Sequence, residues 1–325
     1  MKKSALFLLF FTLATTAFNQ VVKGIIFDKE TDSVICFASV YFNGTFVGTT
    51  SDVNGKFKLN VSKNASMSLT ISAVGYYSVT LADYSTSKPL IIYLKPKIYD
   101  LSQAVISSKS LERKRRRNLI LFKEEFLGTT DNAQECKIMN EKDITFNYDS
   151  DEDTIKAFAL KPILVENKAL GYKITYYLDK FEYYKGTEAT FFSGNIIFKE
   201  DETTEETRMK LAEAREKAYL GSRMHFFRSL WSDDIESNGF TVIKSSNHQF
   251  LQPKEIVIQH YNNKYLGYIE NVRVNYNKGF TDIEFLKKNV YFDKTGYFDP
   301  SGVIWRGRMG LQRIADWLPY EYSIK

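Results

Sequence analysis

Ser222, His225 and Arg228 are the residues whose types and spacing most suggest catalytic chemistry. A serine and a histidine in contact could serve as nucleophile and general base. Ser222, however, stands where its hydroxyl would cap the first turn of a helix, and no glycine turn places that hydroxyl on a strained elbow. We therefore predict no catalytic residues here, and we interpret His225 as a packing or surface histidine.

The sequence also lacks the ligand sets of common metal sites. A zinc carboxypeptidase needs a His and a Glu close in sequence plus a distant His. No His-x-x-Glu follows any of the three histidines, which are His225, His248 and His260. The acidic run 149–153 begins like an EF-hand loop, but Thr154 replaces the sixth-position glycine and Leu160 the twelfth-position glutamate. We interpret the run as a solvated acidic turn, and we predict no metal and no cofactor.

Two groups of cationic residues could bind anions. Arg306, Arg308 and Arg313 could form an anion pocket, with surface or salt-bridge roles as the alternative. The run 113–117 is entirely Arg and Lys, and it precedes the apolar residues of a helix predicted over 111–127, with Gly128 as its C-cap. This basic end could hold anionic lipid head groups, or it could be a solvated helix face.

The two cysteines exclude a disulfide framework. Cys36 lies between Ile35 and Phe37 and is predicted to be a buried thiol. A bridge to Cys136 is the alternative in an oxidising compartment.

These residues must be positioned by two unlike regions, of which the first is a β-sandwich. Short runs in which apolar and polar residues alternate, clearest at 56–61 and 68–73, predict about seven strands between residues 21 and 94. Asn43-Gly44, Asn54-Gly55 and Gly75 separate the runs and suit tight turns. This spacing is typical of a sandwich.

The residues of this stretch carry a resemblance to a known family. The segments are VVKGIIFDKETDSVICFASVYFNGTFVGTTSDVNGKFKLNV, LTISAVGYYSVTL and LIIYL. They resemble the carboxypeptidase regulatory-like domain, a seven-stranded transthyretin-like sandwich. The resemblance implies an accessory domain without catalytic residues, of the kind that begins many envelope proteins of Gram-negative bacteria.

The second region is predicted to be α+β. Strands are expected at 144–148, 163–165, 172–178 and 189–198, with a hairpin connection at 167–171. The aromatic rows of these strands could stack sugars, or they could simply pack across strands. A helix capped at 203–206 ends at Gly221, and a second, capped by Ser222, runs through Ile235 to Asn238-Gly239, both packing on the preceding sheet. Later strands are expected at 255–259 and 265–276. The blocks AYLGSRMHFFRSLWSDDIESNGF and RIADWLPYEY resemble the second region of stand-alone envelope proteins that begin with the same sandwich.

Composition and the first residues indicate an exported protein. A basic start and an apolar run at 5–17 predict a signal peptide at 1–20. We assign the sandwich to 21–97, a linker and basic helix to 98–127, and the α+β domain to 128–325. Lys and Arg total 44 against 39 Asp and Glu, a balance that does not favour nucleic acid. No later apolar run approaches 18 residues, so no transmembrane helix is expected after the signal.

We therefore expect a noncatalytic exported binding or scaffold protein, periplasmic or associated with the outer membrane, with the sandwich as its interaction module. Outer-membrane proteins, peptides or glycans are the expected partners. The alternative is an envelope hydrolase, a peptidase or glycan-acting enzyme, with an unrecognised site in the second domain.

Overall fold

The computed structural model describes residues 20–62, 64–65, 67–97, 109–201 and 204–324. Within these ranges the protein is mostly β, with 21 strands and six α-helices. Residues 1–19 of the predicted signal peptide and the linker residues 98–108 lie outside them. No helix of the described ranges is both long and apolar enough to cross a membrane.

The N-terminal region is a two-sheet sandwich, as predicted. Its strands are β1 Val21–Asp28, β2 Ser39–Phe42, β3 Gly48–Thr50, β4 Lys56–Asn60, β5 Leu69–Ser72, β6 Val79–Leu81 and β7 Leu90–Leu94. One sheet has the order β4-β1-β7 and the other β3-β2-β5-β6. In β4 the buried Phe57 and Leu59 alternate with exposed residues, so the core lies between the sheets. Gly44, Gly55 and Gly75 turn the chain with φ of 77°, 71° and 83°.

The middle of the chain packs helices on a six-stranded sheet. The helices are α1 Lys109–Leu127, α2 Asp131–Gln134 and α3 Glu205–Tyr219. The strands are β8 Cys136–Ile138, β9 Ile144–Asp149, β10 Thr154–Ala159, β11 Ile163–Asn167, β12 Tyr172–Tyr184 and β13 Ala189–Glu200. Their order is β8-β11-β12-β10-β9, with β13 also paired to β12. Phe122 and Phe126, one turn apart on α1, are fully buried against this sheet, and Gly128 ends the helix with φ of 102°.

The C-terminal part has a separate hydrophobic core between two small sheets. Its helices are α4 Arg223–Trp231, α5 Pro253–Ile256 and α6 Arg308–Leu311. The strands are β14 Phe240–Lys244, β15 Phe250–Leu251, β16 Val257–His260, β17 Asn263–Leu266, β18 Val272–Tyr276, β19 Gly279–Phe285, β20 Val290–Phe292 and β21 Val303–Gly307. The sheet orders are β15-β14-β18-β19-β21 and β16-β17-β20.

The second predicted helix is wrong in its length and its packing. α4 ends at Trp231 because Asp233 adopts a left-handed φ of 57°, so Ile235 is buried from a turn. Its Phe226 and Phe227 belong to the C-terminal core, whereas α3 packs on the middle sheet as expected. The N-cap of α3 is Thr204, not the predicted capping box at 203–206.

Two late strands also differ from prediction. The strand expected at 265–276 is broken after Leu266, because β17 and β18 belong to different sheets. Residues 253–256 form a helical turn in which Glu255 accepts a hydrogen bond from the Gln252 N–H, so β16 starts only at Val257.

Cys36 is exposed, not buried as predicted. The Ser51 hydroxyl donates to the Ile35 carbonyl and accepts from the Ala38 N–H, both at 2.9 Å. Ile35 and Ala38 therefore face the core, and Cys36 and Phe37 form an outward turn in which Phe37 has φ of 58°. Both cysteines are free thiols.

Candidate functional site

Ser222 and His225 lie close together but do not form a nucleophile–base pair. The Ser222 hydroxyl accepts from the backbone N–H of His225 at 3.1 Å and caps α4, as predicted. The buried imidazole accepts the Gly221 N–H on Nδ1 at 3.1 Å, so its Nε2 carries the proton and faces Asn238 Oδ1 at 3.2 Å. Burial lowers the pKa of His225. Both side chains are therefore engaged in capping and packing.

Arg228 ties α4 to the C-terminal segment, which we define as residues 312–324. Its guanidinium donates to the backbone carbonyls of Thr295, Tyr322 and Tyr320 at 2.9, 2.7 and 3.1 Å. The third member of the predicted helical group thus has a structural task.

The three candidate arginines of the anion pocket have separate neighbours. Arg306 pairs with Glu284 at 3.2 Å on the surface, and Arg308 lies over the Tyr276 ring. Arg313 donates to the Gly310 carbonyl at 2.7 Å and lies 3.9 Å from Glu125. These contacts give the three arginines salt-bridge, ring-stacking and backbone roles.

The acidic run is held by neighbouring cations. Lys156 lies 2.9 Å from both Asp149 and Glu152, and Lys185 lies 3.4 Å from Asp153. In the part of the chain that the structure describes, no group of three or more His, Cys, Asp or Glu could hold a metal ion.

The aromatic rows of the middle sheet are largely internal. Tyr176, Phe181 and Phe126 are fully buried and pack with Phe192 at ring-centroid distances of 5.5 to 6.5 Å. This favours cross-strand packing over a sugar platform.

A contact between the sandwich and the second region builds the candidate site. Residues 43–47, the docking loop, lead from β2 into β3. The Gly44 N–H donates to Ile196 of β13 at 2.8 Å, and the Tyr320 N–H donates to Gly44 at 2.8 Å. Asn43 Oδ1 accepts from the Ile196 N–H at 2.7 Å, and Glu321 accepts from the Phe46 N–H at 3.0 Å. The docking loop is therefore held between β13 and the C-terminal segment.

A cleft of about 160 Å³ opens beside this contact. The sandwich supplies Asn43 and Gly44, and β13 supplies Ile196 and Phe198. Other walls come from α3, α4, the loop before β21 and the C-terminal segment: Ala218, Arg223, Met224, Tyr297, Phe298, Asp316, Trp317 and Tyr320. The apolar walls belong to the middle and C-terminal hydrophobic clusters, and the sandwich contributes its docking loop.

Arg223 is the cationic side chain of the cleft. It donates to the Gln312 carbonyl at 2.9 Å, and its guanidinium lies 5.6 Å from the Trp317 ring centre and 5.9 Å from that of Phe298. Among the described residues, no carboxylate oxygen lies within 4.0 Å of it. Burial, reinforced by Arg313, lowers the pKa of Arg223 to about 10, so it keeps its charge at neutral pH.

Trp317 and Asp316 also line the cleft. The Trp317 Nε1–H is buried and has no acceptor among the described residues. Asp316 accepts from Thr130 Oγ1 at 2.9 Å and Asn132 Nδ2 at 2.8 Å, which occupy its carboxylate. Burial raises the pKa of Asp316, and the charge of Arg223 acts in the opposite direction.

Sequence reasoning did not single out Arg223 or Trp317 as functional residues. Both lie in the two blocks that carry the resemblance of the second region, around 218–240 and 313–322. The structure brings these blocks together at the cleft.

Residues 22–106 match the family model of the CarboxypepD_reg-like domain. The sandwich is a carboxypeptidase regulatory-like domain. It is a regulatory, noncatalytic module, which agrees with the expectation from the resemblance. No curated protein matches the chain. The regulatory-like domain thus supplies one wall of the cleft, and the region after it supplies the charged and aromatic walls.

Proposed function

We propose that the protein is a noncatalytic, exported binding protein of the cell envelope in which the regulatory-like sandwich is the interaction module. The observation that carries this proposal is the cleft between the docking loop of the sandwich, β13 and the C-terminal segment. Concave, mostly apolar sites with a few polar groups are typical of ligand binding, and they often lie at domain junctions.

The engagement of Ser222 and His225 favours binding over hydrolysis. A hydrolytic serine needs its hydroxyl next to a base, whereas the Ser222 hydroxyl caps α4 and the His225 ring accepts a backbone N–H. Export is supported by the leader-like residues at 2–17, and the envelope location by the resemblance of the sandwich.

A matched pair of variants on α3 tests the proposal. Ala218 lines the cleft, whereas Ala212 is exposed on the same helix. Ala218→Leu should fill part of the cleft, and Ala212→Leu adds the same atoms in solvent. The full-length protein is isolated without denaturants from the envelope of its own cell, and native mass spectrometry records what remains bound.

We expect the parent protein and Ala212→Leu to carry the same noncovalent occupant, and Ala218→Leu to lose it while keeping the parent circular dichroism spectrum. Retention of the occupant by Ala218→Leu, or a cleft that is empty in all three proteins, would contradict the proposal. So would recovery of the protein in the cytoplasmic fraction.

A further inference from the structure

Two residues of the cleft, Arg223 and Trp317, have N–H donors that meet no acceptor among the described residues. Among the described residues, Arg223 donates to one acceptor, the Gln312 carbonyl, although a guanidinium carries five N–H donors. The Trp317 Nε1–H has none among the described residues. A half-buried guanidinium with unused N–H donors and no carboxylate in direct contact is satisfied better by a ligand that brings acceptor oxygens.

Charges around the cleft favour an anion over a neutral acceptor. Arg313 and Arg228 lie near enough that Arg313 lowers the pKa of Arg223 and Arg228 touches the carbonyl of Tyr320. Asp316 is the only acidic side chain among the lining residues, and its oxygens are occupied by Thr130 and Asn132 on another side. Asp316 attracts Arg223 at longer range but makes no ion pair with it among the described residues, so the Arg223 guanidinium is the group that a ligand anion can contact.

The apolar walls and the volume of the cleft determine the character and size of the uncharged part of the ligand. Phe298, Trp317 and Ile196 offer apolar surface, and the cleft of about 160 Å³ is close to the ~150 Å³ that accommodates a benzene-sized group. One cation in so small a space suits a singly charged, planar carboxylate, which a guanidinium binds through two parallel hydrogen bonds.

We propose that the cleft binds a carboxylate joined to a small apolar group, with Arg223 as the partner of the carboxylate and Trp317 as a second donor. This inference rests on the proposed function and narrows it to a ligand class. The same chemistry occurs in a free organic acid and in the last residue of a peptide with an apolar side chain.

Calorimetric titration of the full-length protein with paired probes tests the inference. The probes are 3-phenylpropionate and its amide, Gly-Gly-Phe and its C-terminal amide, and inorganic phosphate. We expect at least one acid to bind at least tenfold more tightly than its amide and than phosphate. Preference for 3-phenylpropionate indicates a free acid, and preference for Gly-Gly-Phe indicates a peptide C-terminus.

Three variants locate the binding energy. Arg223→Gln should weaken binding of the acid at least tenfold and remove the difference between acid and amide. Trp317→Phe keeps the ring and removes only the N–H, so it should weaken binding by about two- to fivefold. Arg306→Gln, which alters an exposed arginine paired with Glu284, should leave affinity unchanged.

Equal affinity for acid and amide, tighter binding of phosphate, no binding of any probe, or equal effects of Arg223→Gln and Arg306→Gln would overturn the inference. If Arg223→Gln fails to fold, two other results together would still overturn the inference. They are unchanged affinity of Trp317→Phe for the acid and equal affinity of the parent protein for acid and amide. An occupant without an acid group that is lost in Ala218→Leu would leave the proposed function standing and this inference wrong.

Discussion

At the scale of single residues, His225 is the buried titratable group whose environment is best defined. Its ring packs between Tyr219, Phe240 and Tyr276 at centroid distances of 4.8, 4.8 and 5.7 Å. Nδ1 already accepts the Gly221 N–H, so a second proton on the ring would break that hydrogen bond. The folded protein therefore favours the neutral imidazole.

This preference predicts a pH dependence of stability. The pKa of His225 is lowered below its ordinary 6.5, chiefly by burial. As the pH falls through about 6.5, the unfolded chain binds the proton first, so the free energy of unfolding should decrease, while above about 7.5 the contribution vanishes. Chemical denaturation at several pH values should give a steeper decline between about pH 7.5 and 5.5 in the parent than in His225→Gln.

His248→Gln is the control, because His248 is exposed. It should retain the slope of the parent protein. A slope that is unchanged in His225→Gln would show that other groups cause the pH dependence.

Residue types alone could not locate the charged group of the cleft. Ser222 was correctly predicted as a cap because capping is local and depends on the next three residues. Arg223, its neighbour, meets Trp317 and Gln312 about ninety positions later, and no local pattern reports such a contact. The prediction for Cys36 was wrong for a related reason, since its exposure accompanies hydrogen bonds of Ile35 and Ala38 to Ser51, which lies thirteen or more positions later.

Among the secondary-structure elements, α1 carries a run of cationic residues whose contacts differ from one residue to the next. Arg115 donates to the carbonyls of Ile144 and Glu141 at 2.6 and 2.9 Å, whereas Arg116 is exposed. Arg115 therefore holds α1 against the start of β9, whereas Arg116 faces outward.

Neighbouring alanine substitutions should separate these roles. Arg115→Ala removes charge-assisted hydrogen bonds to two carbonyls and should lower the free energy of unfolding by about 1–3 kcal/mol. Arg116→Ala changes a solvated side chain and should stay within about 0.5 kcal/mol of the parent. Urea denaturation of both variants gives the comparison, and equal losses would show that Arg115 is no anchor.

Periodicity predicted the sandwich because β4 buries alternate residues and the turns use glycine, although β5, expected to be half-buried, is buried at all four positions. The same approach extended α4 too far, since Ile235 continues the helical spacing although Asp233 has already left the helix. The prediction of one strand at 265–276 was wrong because the apolar residues of this stretch belong to two strands, β17 and β18, in different sheets.

At the scale of the whole molecule, the docking loop joins the sandwich to the rest. Gly44 is close to its partners: a Cβ there would lie 2.3 Å from the Tyr320 ring, and its φ is 77°. Gly75 has a similar φ of 83° in the same sandwich, but nothing lies within 4 Å of its Cβ position. Both glycines therefore need a left-handed backbone, but only Gly44 also needs the space that a Cβ would take from Tyr320.

Gly44→Ala should weaken the docking of the sandwich, and Gly75→Ala should not. Both variants should lose about 1–2 kcal/mol from left-handed backbone strain. Only Gly44→Ala should increase hydrogen exchange at the Gly44, Ile196 and Tyr320 amides, because the methyl group displaces the Tyr320 ring. Equal exchange in both variants would mean that the docking loop tolerates the added methyl group.

The contact of Phe46 with Glu321 joins an early part of the chain to one that is translated much later. The two residues are 275 positions apart, so the ribosome completes the sandwich long before its partner segment exists. The sandwich has a hydrophobic core of its own, so its folding does not depend on the C-terminal segment. Its docking surface and the cleft arise only after the residues around Tyr320 have been translated, which makes assembly of the site a late step for each newly made molecule.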